Sequence, residues 1–173
     1  MKERFGAKNP RSMMIRYTLS TSVMDLTLQQ PLNNIARIAI QALAAALACP
    51  QFLNSPCYDE AAAIPTEEAV RVSASIYQIV AEETGVVNTV DPLAGSYYLE
   101  CLTKEIEDQV FKLINKVDEL GGALRAIEAG YFQKEIADAA YRWQREVEEG
   151  KIGVVGVNRL RIDEEEEKPI EIF

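Results

Sequence analysis

Histidine is absent from all 173 residues, and with it goes a whole group of chemistries. The chain supplies no Ser-His-Asp triad, no histidine-ligated metal and no imidazole base. Cysteine is scarce. Cys49, Cys57 and Cys101 are odd in number and lack metal-ligand spacing, so they predict free thiols in a reducing, cytoplasmic setting rather than a disulfide framework. Basic residues are in deficit, 18 Lys and Arg against 27 Asp and Glu, for a net charge of -9. Nucleic-acid binding needs a basic face, and an anionic membrane surface repels a chain of this charge. Long apolar runs are missing as well. The most apolar stretch, IARIAIQALAAALAC at 35–49, holds Arg37 and Gln41 and is shorter than the roughly 18–20 residues of a membrane span. The opening MKERFGAKNPRS is polar and predicts no targeting segment.

What is present is ordinary for a folded chain, with 48% hydrophobic and 26% charged residues. The run SMMIRYT at 12–18 predicts a buried strand, and a long Ala-rich helix from near Pro31 is stopped at Cys49-Pro50. A short strand over 51–56 follows. Thr66 has the type and place of an N-cap, with Glu67 and Glu68 in the first turn, and Gly85 closes that helix. VVNTVD at 86–91 predicts a third strand. Three helical stripes come next: one ends at Gly121-Gly122, one spans 123–129, and one closes at Gly150. Tyr97, Tyr98 and Trp143 sit on apolar faces and are expected in the core. IGVVGVN at 152–158 predicts a fourth strand before an acidic tail.

Apolar strands alternating with helices imply an α/β fold with a parallel sheet buried on both faces. A complete eight-stranded barrel takes about 250 residues, so four strands give a partial TIM-like (β/α) barrel, about half of the eight βα units, with an extra helical segment. The expected organisation is a half-barrel over 1–158 and a solvated tail over 159–173. Half a barrel has two open sheet edges, and such edges favour association.

The stretches RFGAKNPRSMMIR, QQPLNNIARIAIQALAAAL, QIVAEETGVVNTVDPLAGSYYLE and AIEAGYFQKEIADAAYRWQREVEEG resemble the catalytic large subunit of the methylmalonyl-CoA mutase family. That family also contains isobutyryl-CoA and 2-hydroxyisobutyryl-CoA mutases. The resemblance runs from about Arg4 to Asn158 and covers the C-terminal part of the family's barrel domain. It implies adenosylcobalamin as cofactor, an acyl-CoA substrate and a radical 1,2-rearrangement of the carbon skeleton. It also implies that the family's arginine, histidine and tyrosine for substrate and corrin lie in the earlier barrel, outside these residues. An N-terminal half-barrel mutase subunit and a small cobalamin-binding subunit are the expected partners, and no catalytic residue is assigned here.

Two stretches depart from the family pattern. Where the family reads R-F-H-T-Q-T-A-G, this chain has Arg16-Tyr17-Thr18-Leu19-Ser20-Thr21-Ser22-Val23. Where it reads T-Q-S-L-H-T-N-S-Y-D-E-A, this chain has Pro50-Gln51-Phe52-Leu53-Asn54-Ser55-Pro56-Cys57-Tyr58-Asp59-Glu60-Ala61. The resemblance makes Gln51 a cofactor-side residue, and Asn54 keeps an NH2 donor where the family has histidine. Asp91 is an acceptor for a ribose hydroxyl by the same logic. Glu83 stands in a last helical turn against the dipole, on the matched AEETG. Arg4, Ser12 and Arg16 suit the CoA phosphates, since an Arg fork takes phosphate bidentately. Asp59 and Glu60, heading a loop before a helix, suit a ribose hydroxyl in the same way as Asp91, and for Asp91-Pro92 capping and turn formation are equally natural. No metal site is expected. The competing function is a non-catalytic, repurposed half-barrel that self-associates.

Overall fold

The computed structural model describes residues 2–162. They fall into two compact units that divide after Pro92. The first holds helix α1 (Lys2–Phe5), strand β1 (Thr18–Ser20), helix α2 (Asn33–Leu47), strand β2 (Phe52–Asn54) and helix α3 (Glu67–Glu83). The two strands pair in parallel, with Thr18 opposite Phe52, Leu19 opposite Leu53 and Ser20 opposite Asn54. Parallel neighbours need a crossover, and α2 provides it by running back along the sheet. At the strand-start end the Tyr17 hydroxyl donates to the Ala48 carbonyl at 3.2 Å, and the Tyr17 N–H donates to Gln51 Oε1 at 3.0 Å. At the strand-finish end the Thr21 N–H donates to the Asn54 carbonyl at 2.9 Å.

The core of this unit is the seam between α2 and α3. Ile38 and Ala42 join Ala69, Ile76 and Val80, with Leu26, Cys57 and Tyr58 closing one end. Alanine on both helices lets the backbones approach closely. The local signals for α3 act as expected: Thr66 Oγ1 accepts from the Ala69 N–H at 3.2 Å, and Gly85 takes φ +73° just past the last turn.

The α/β class and the parallel pairing stand, and the unit is consistent with a fragment of an α/β barrel. Two of the four expected strands do not form among the described residues. Residues 86–91 begin as a 3₁₀ turn over Val86–Asn88, with the Asn88 N–H on the Gly85 carbonyl and Asp91 at φ +48°. Residues 152–158 fold into a turn around Asn158. Its Oδ1 accepts from the Val154 N–H, and its Nδ2 donates to the carbonyls of Val147 and Ile152. The run at 12–18, expected as a buried strand, is exposed and reaches the ladder only at Thr18, because Asn9 caps a 3₁₀ turn over Pro10–Met13 ahead of it. The strand pair is not buried on both faces. A β-rich run becomes a strand only when a ladder partner lies beside it.

The second unit holds α4 (Tyr97–Glu119), α5 (Ala123–Glu128) and α6 (Tyr131–Glu148), as the helical stripes predict. Gly122 at φ +94° and Gly130 at φ +72° make the two joints. The aromatic expectation is corrected here: Tyr97 is 94% exposed, Tyr98 74% and Trp143 52%. Of the residues in these three helices only Ala126 is buried. Periodicity identifies which residues share a face, but not whether anything covers it. The acidic tail from 163 onward lies outside the described residues.

Candidate functional site at the strand ends

Side chains alternate along a strand, and both strands are exposed, half-buried, exposed in order. Leu53 therefore turns toward the helical core, while Thr18, Ser20, Phe52 and Asn54 share the opposite, open face. The register sets Ser20 beside Asn54 at the C-terminal ends, on strands about 4.8 Å apart. Both of the stretches that depart from the family pattern thus meet on one sheet face and at one end.

Immediately past β2 the chain does something unusual for a loop. Ser55, Pro56, Cys57, Tyr58 and Asp59 are all buried, so their backbone polar groups need partners inside the protein. The Cys57 N–H donates to Glu60 Oε1 at 2.7 Å, and the Tyr58 carbonyl accepts from Asn34 Nδ2 at 2.9 Å. The Asp59 carbonyl takes the N–H groups of Ala62 and Ala63. The Asp59 side chain, 1% exposed, accepts through Oδ2 from the Thr66 N–H at 2.8 Å and the Thr66 hydroxyl at 2.9 Å. The loop is thereby latched to the start of α3 as well as to α2.

Some hydrogen-bonding capacity is left over. Thr21 Oγ1 and Ser55 Oγ, each one residue past its strand, are buried without a partner, as is Asp59 Oδ1. Each is a group that a water or a ligand atom would satisfy. Burial pushes the Cys57 thiol above its ordinary range, helped by the charges of Glu60 and Asp59, and burial raises the Tyr58 phenol likewise. The folded chain therefore holds these protons to higher pH than the unfolded chain does. Their stabilisation is complete below the ordinary thiol range and declines as pH rises through the raised values. At pH 8 iodoacetamide should alkylate exposed Cys49 and Cys101 readily and Cys57 at least about ten-fold more slowly. Peptide mass mapping reads this directly, and equal labelling of all three would contradict the burial.

The residues singled out from the sequence are not gathered in one place. Asn54 stands at the strand-finish end. Gln51 stands at the other end of the same short strand, about 10 Å away, with its carbonyl oxygen engaged by Tyr17. Helix α3 begins at the strand-finish end and runs 17 residues, so its last residue, Glu83, lies about 25 Å off. Asp91 is exposed in the turn beyond α3 rather than at a strand terminus. Arg4, Ser12 and Arg16 are exposed on the segment leading into β1, with the Arg4 guanidinium over the Phe5 ring. No group of three or more His, Cys, Asp or Glu among the described residues is placed to hold a metal ion.

Sequence reasoning passed over Asn34, which is wholly buried and bonded to both strand-end segments. A signal for it exists. The buried stripe Ile38, Ala42, Ala45, continued one turn toward the N-terminus, lands on an amide.

The methylmalonyl-CoA mutase family model matches residues 1–173. The chain is 46% identical over 172 residues to the 2-hydroxyisobutanoyl-CoA mutase large subunit of Aquincola tertiaricarbonis, covering 99% of this chain and 30% of that protein. It is 42% identical over 166 residues to methylmalonyl-CoA mutase of Escherichia coli (strain K12), covering 96% of this chain and 23% of that one. It is 37% identical over 166 residues to the mitochondrial methylmalonyl-CoA mutase of Homo sapiens, again 96% of this chain but 22% of the relative. The chain thus spans less than a third of the length of these relatives.

Proposed function

The chain belongs to the methylmalonyl-CoA mutase family, and on that premise we propose that it forms part of the catalytic barrel of an adenosylcobalamin-dependent acyl-CoA mutase. The remaining barrel strands and a cobalamin-binding unit come from outside these 173 residues. The words "large subunit" in the name of one relative favour a multi-chain assembly. Free thiols at 49, 57 and 101 favour a reducing, cytoplasmic location.

One observation carries the reading at the level of residues. The parallel strands end in an open polar pair, Ser20 and Asn54, with unpartnered oxygens of Thr21 and Ser55 one position further on. Ligands of parallel α/β folds bind outside the carboxyl ends of the strands. A corrin ring edged with amides suits such a rim, so Ser20 and Asn54 are the residues proposed to hold it. Bound adenosylcobalamin supplies an organic radical through homolysis of its cobalt–carbon bond. The chain's own share is to orient the ligand, to exclude water through the buried 55–59 loop, and to offer Arg4, Ser12 and Arg16 to the CoA phosphates. With no histidine in the chain, proton handling by imidazole falls to the rest of the barrel.

The test is co-expression with an N-terminal half-barrel polypeptide and a small cobalamin-binding chain, followed by adenosylcobalamin titration in the visible spectrum. The expected result is a co-purifying complex with a corrin spectral change, and Asn54→Ala should weaken cofactor binding several-fold. A chain that instead self-associates and is blind to both cobalamin and CoA would establish the non-catalytic alternative.

A further inference from the structure

We infer that Asn34 is a positioning residue: its one buried amide ties the segments after β1 and after β2 to the first turn of α2, and so sets where the strand-end groups stand. This rests on the reading that those strand ends form the ligand site.

The side chain is 0% exposed and all four of its hydrogen-bonding capacities are in use. Oδ1 accepts from the Thr27 N–H at 3.1 Å and from Arg37 Nη1 at 2.7 Å. Nδ2 donates to the Thr27 carbonyl at 2.9 Å and to the Tyr58 carbonyl at 2.9 Å. The same Arg37 nitrogen also reaches Thr27 Oγ1 at 2.8 Å, locking the segment from a second direction. The bonds to Thr27 and Tyr58 bridge 7 and 24 positions of chain, so they order tertiary structure rather than the helix. α2 begins without a side-chain cap, so capping does not explain the amide. Helix burial does not explain it either, since Ile38 and Ala42 on the same stripe are served by apolar side chains. What the short carboxamide provides is a donor pair and an acceptor in one plane, matched to two backbone segments at once. Buried polar networks that are fully satisfied fix a single arrangement. Here that arrangement places the loop carrying Ser55, whose hydroxyl is unpartnered.

Asn34→Asp separates the two halves of the clasp. It keeps the oxygen that accepts from Thr27 and Arg37, but turns a carboxylate oxygen toward the carbonyls of Thr27 and Tyr58. In the 173-residue chain, hydrogen exchange at the amides of Glu60 and Ala62 should speed up about 10-fold while amides in the middle of α3 stay within about two-fold. In the co-expressed complex, the adenosylcobalamin dissociation constant read from the visible spectrum should rise about 10-fold, as misplaced binding groups require. Asn34→Ser, too short to reach Tyr58, should behave the same way and serves if the aspartate variant does not fold. Unchanged loop exchange would overturn the inference. So would a loosened loop with an unchanged cofactor constant, or faster exchange spread evenly through α2 and α3. If the unaltered complex gives no spectral response, the mutase reading fails instead, and the exchange data alone decide whether Asn34 holds the loop.

Discussion

Asp59→Ala should lower the unfolding free energy by about 3 kcal/mol, because hydrogen bonds to a charged acceptor contribute about 1.5–3 kcal/mol each and two are lost together. Both bonds go to Thr66, one from its N–H and one from its hydroxyl. The damage does not stop there. Thr66 Oγ1 caps the Ala69 N–H, and a threonine freed from Asp59 is no longer held in its capping rotamer. Against this, alanine removes Oδ1, a buried oxygen with no partner, which keeps the loss below the sum of its parts. Asp59→Asn keeps one acceptor for Thr66 and should cost only about 1 kcal/mol, as a neutral bond does. Urea unfolding followed by circular dichroism measures both. Equal losses for the two variants would show that the carboxylate charge, which both remove, carries the effect and that the bond asparagine keeps adds nothing.

Ile38→Ala should cost about 3 kcal/mol, within the range of isoleucine truncations that leave a cavity. Ile38 is 1% exposed and, among the described residues, is the largest side chain so fully enclosed, ahead of Asn34 and Asp59. The cluster around it includes Ala42 on its own helix and Ala69 across the seam, which have no length to spare for refilling the space. Ile38→Val should cost about 1 kcal/mol by the same reasoning. A denaturation midpoint for Ile38→Ala that matches the unaltered chain would mean that the α2–α3 seam is not what holds the unit together. The contrast with an exposed apolar residue such as Ile40, 71% exposed on the same helix, makes the measurement specific. Ile40→Ala should stay within about 0.5 kcal/mol.

These two effects mark how unevenly the sequence disclosed the molecule. The helices were legible because their signals are local. Thr66 accepts from its own third residue onward, and Gly85, Gly130 and Gly150 adopt the positive φ that ends or joins helices without a Cβ clash. The strands were legible only where a partner exists. Residues 51–56 and 86–91 look alike as short β-rich runs, yet the first pairs with Thr18–Ser20 and the second turns on Gly85. Nothing within either run carries that difference, since a ladder is made by two segments. The site divided in the same way. Asn54 closes β2, whereas Gln51 and Glu83 lie toward the opposite end of the unit. A motif fixes distance along the chain, and a strand of three residues or a helix of 17 turns that distance into opposite ends of the same unit.

From the sequence alone came the excluded chemistries, the helix limits, the α/β class and the family, since composition and near-neighbour stereochemistry are properties of the chain itself. Tertiary structure alone decided which runs became strands, which face of the sheet carries Ser20 and Asn54, and that an asparagine and an aspartate are as deeply enclosed as Ile38. The reason is physical: pairing, burial and the satisfaction of a buried amide depend on groups brought together from distant positions, and none of these is written in any one stretch of residues.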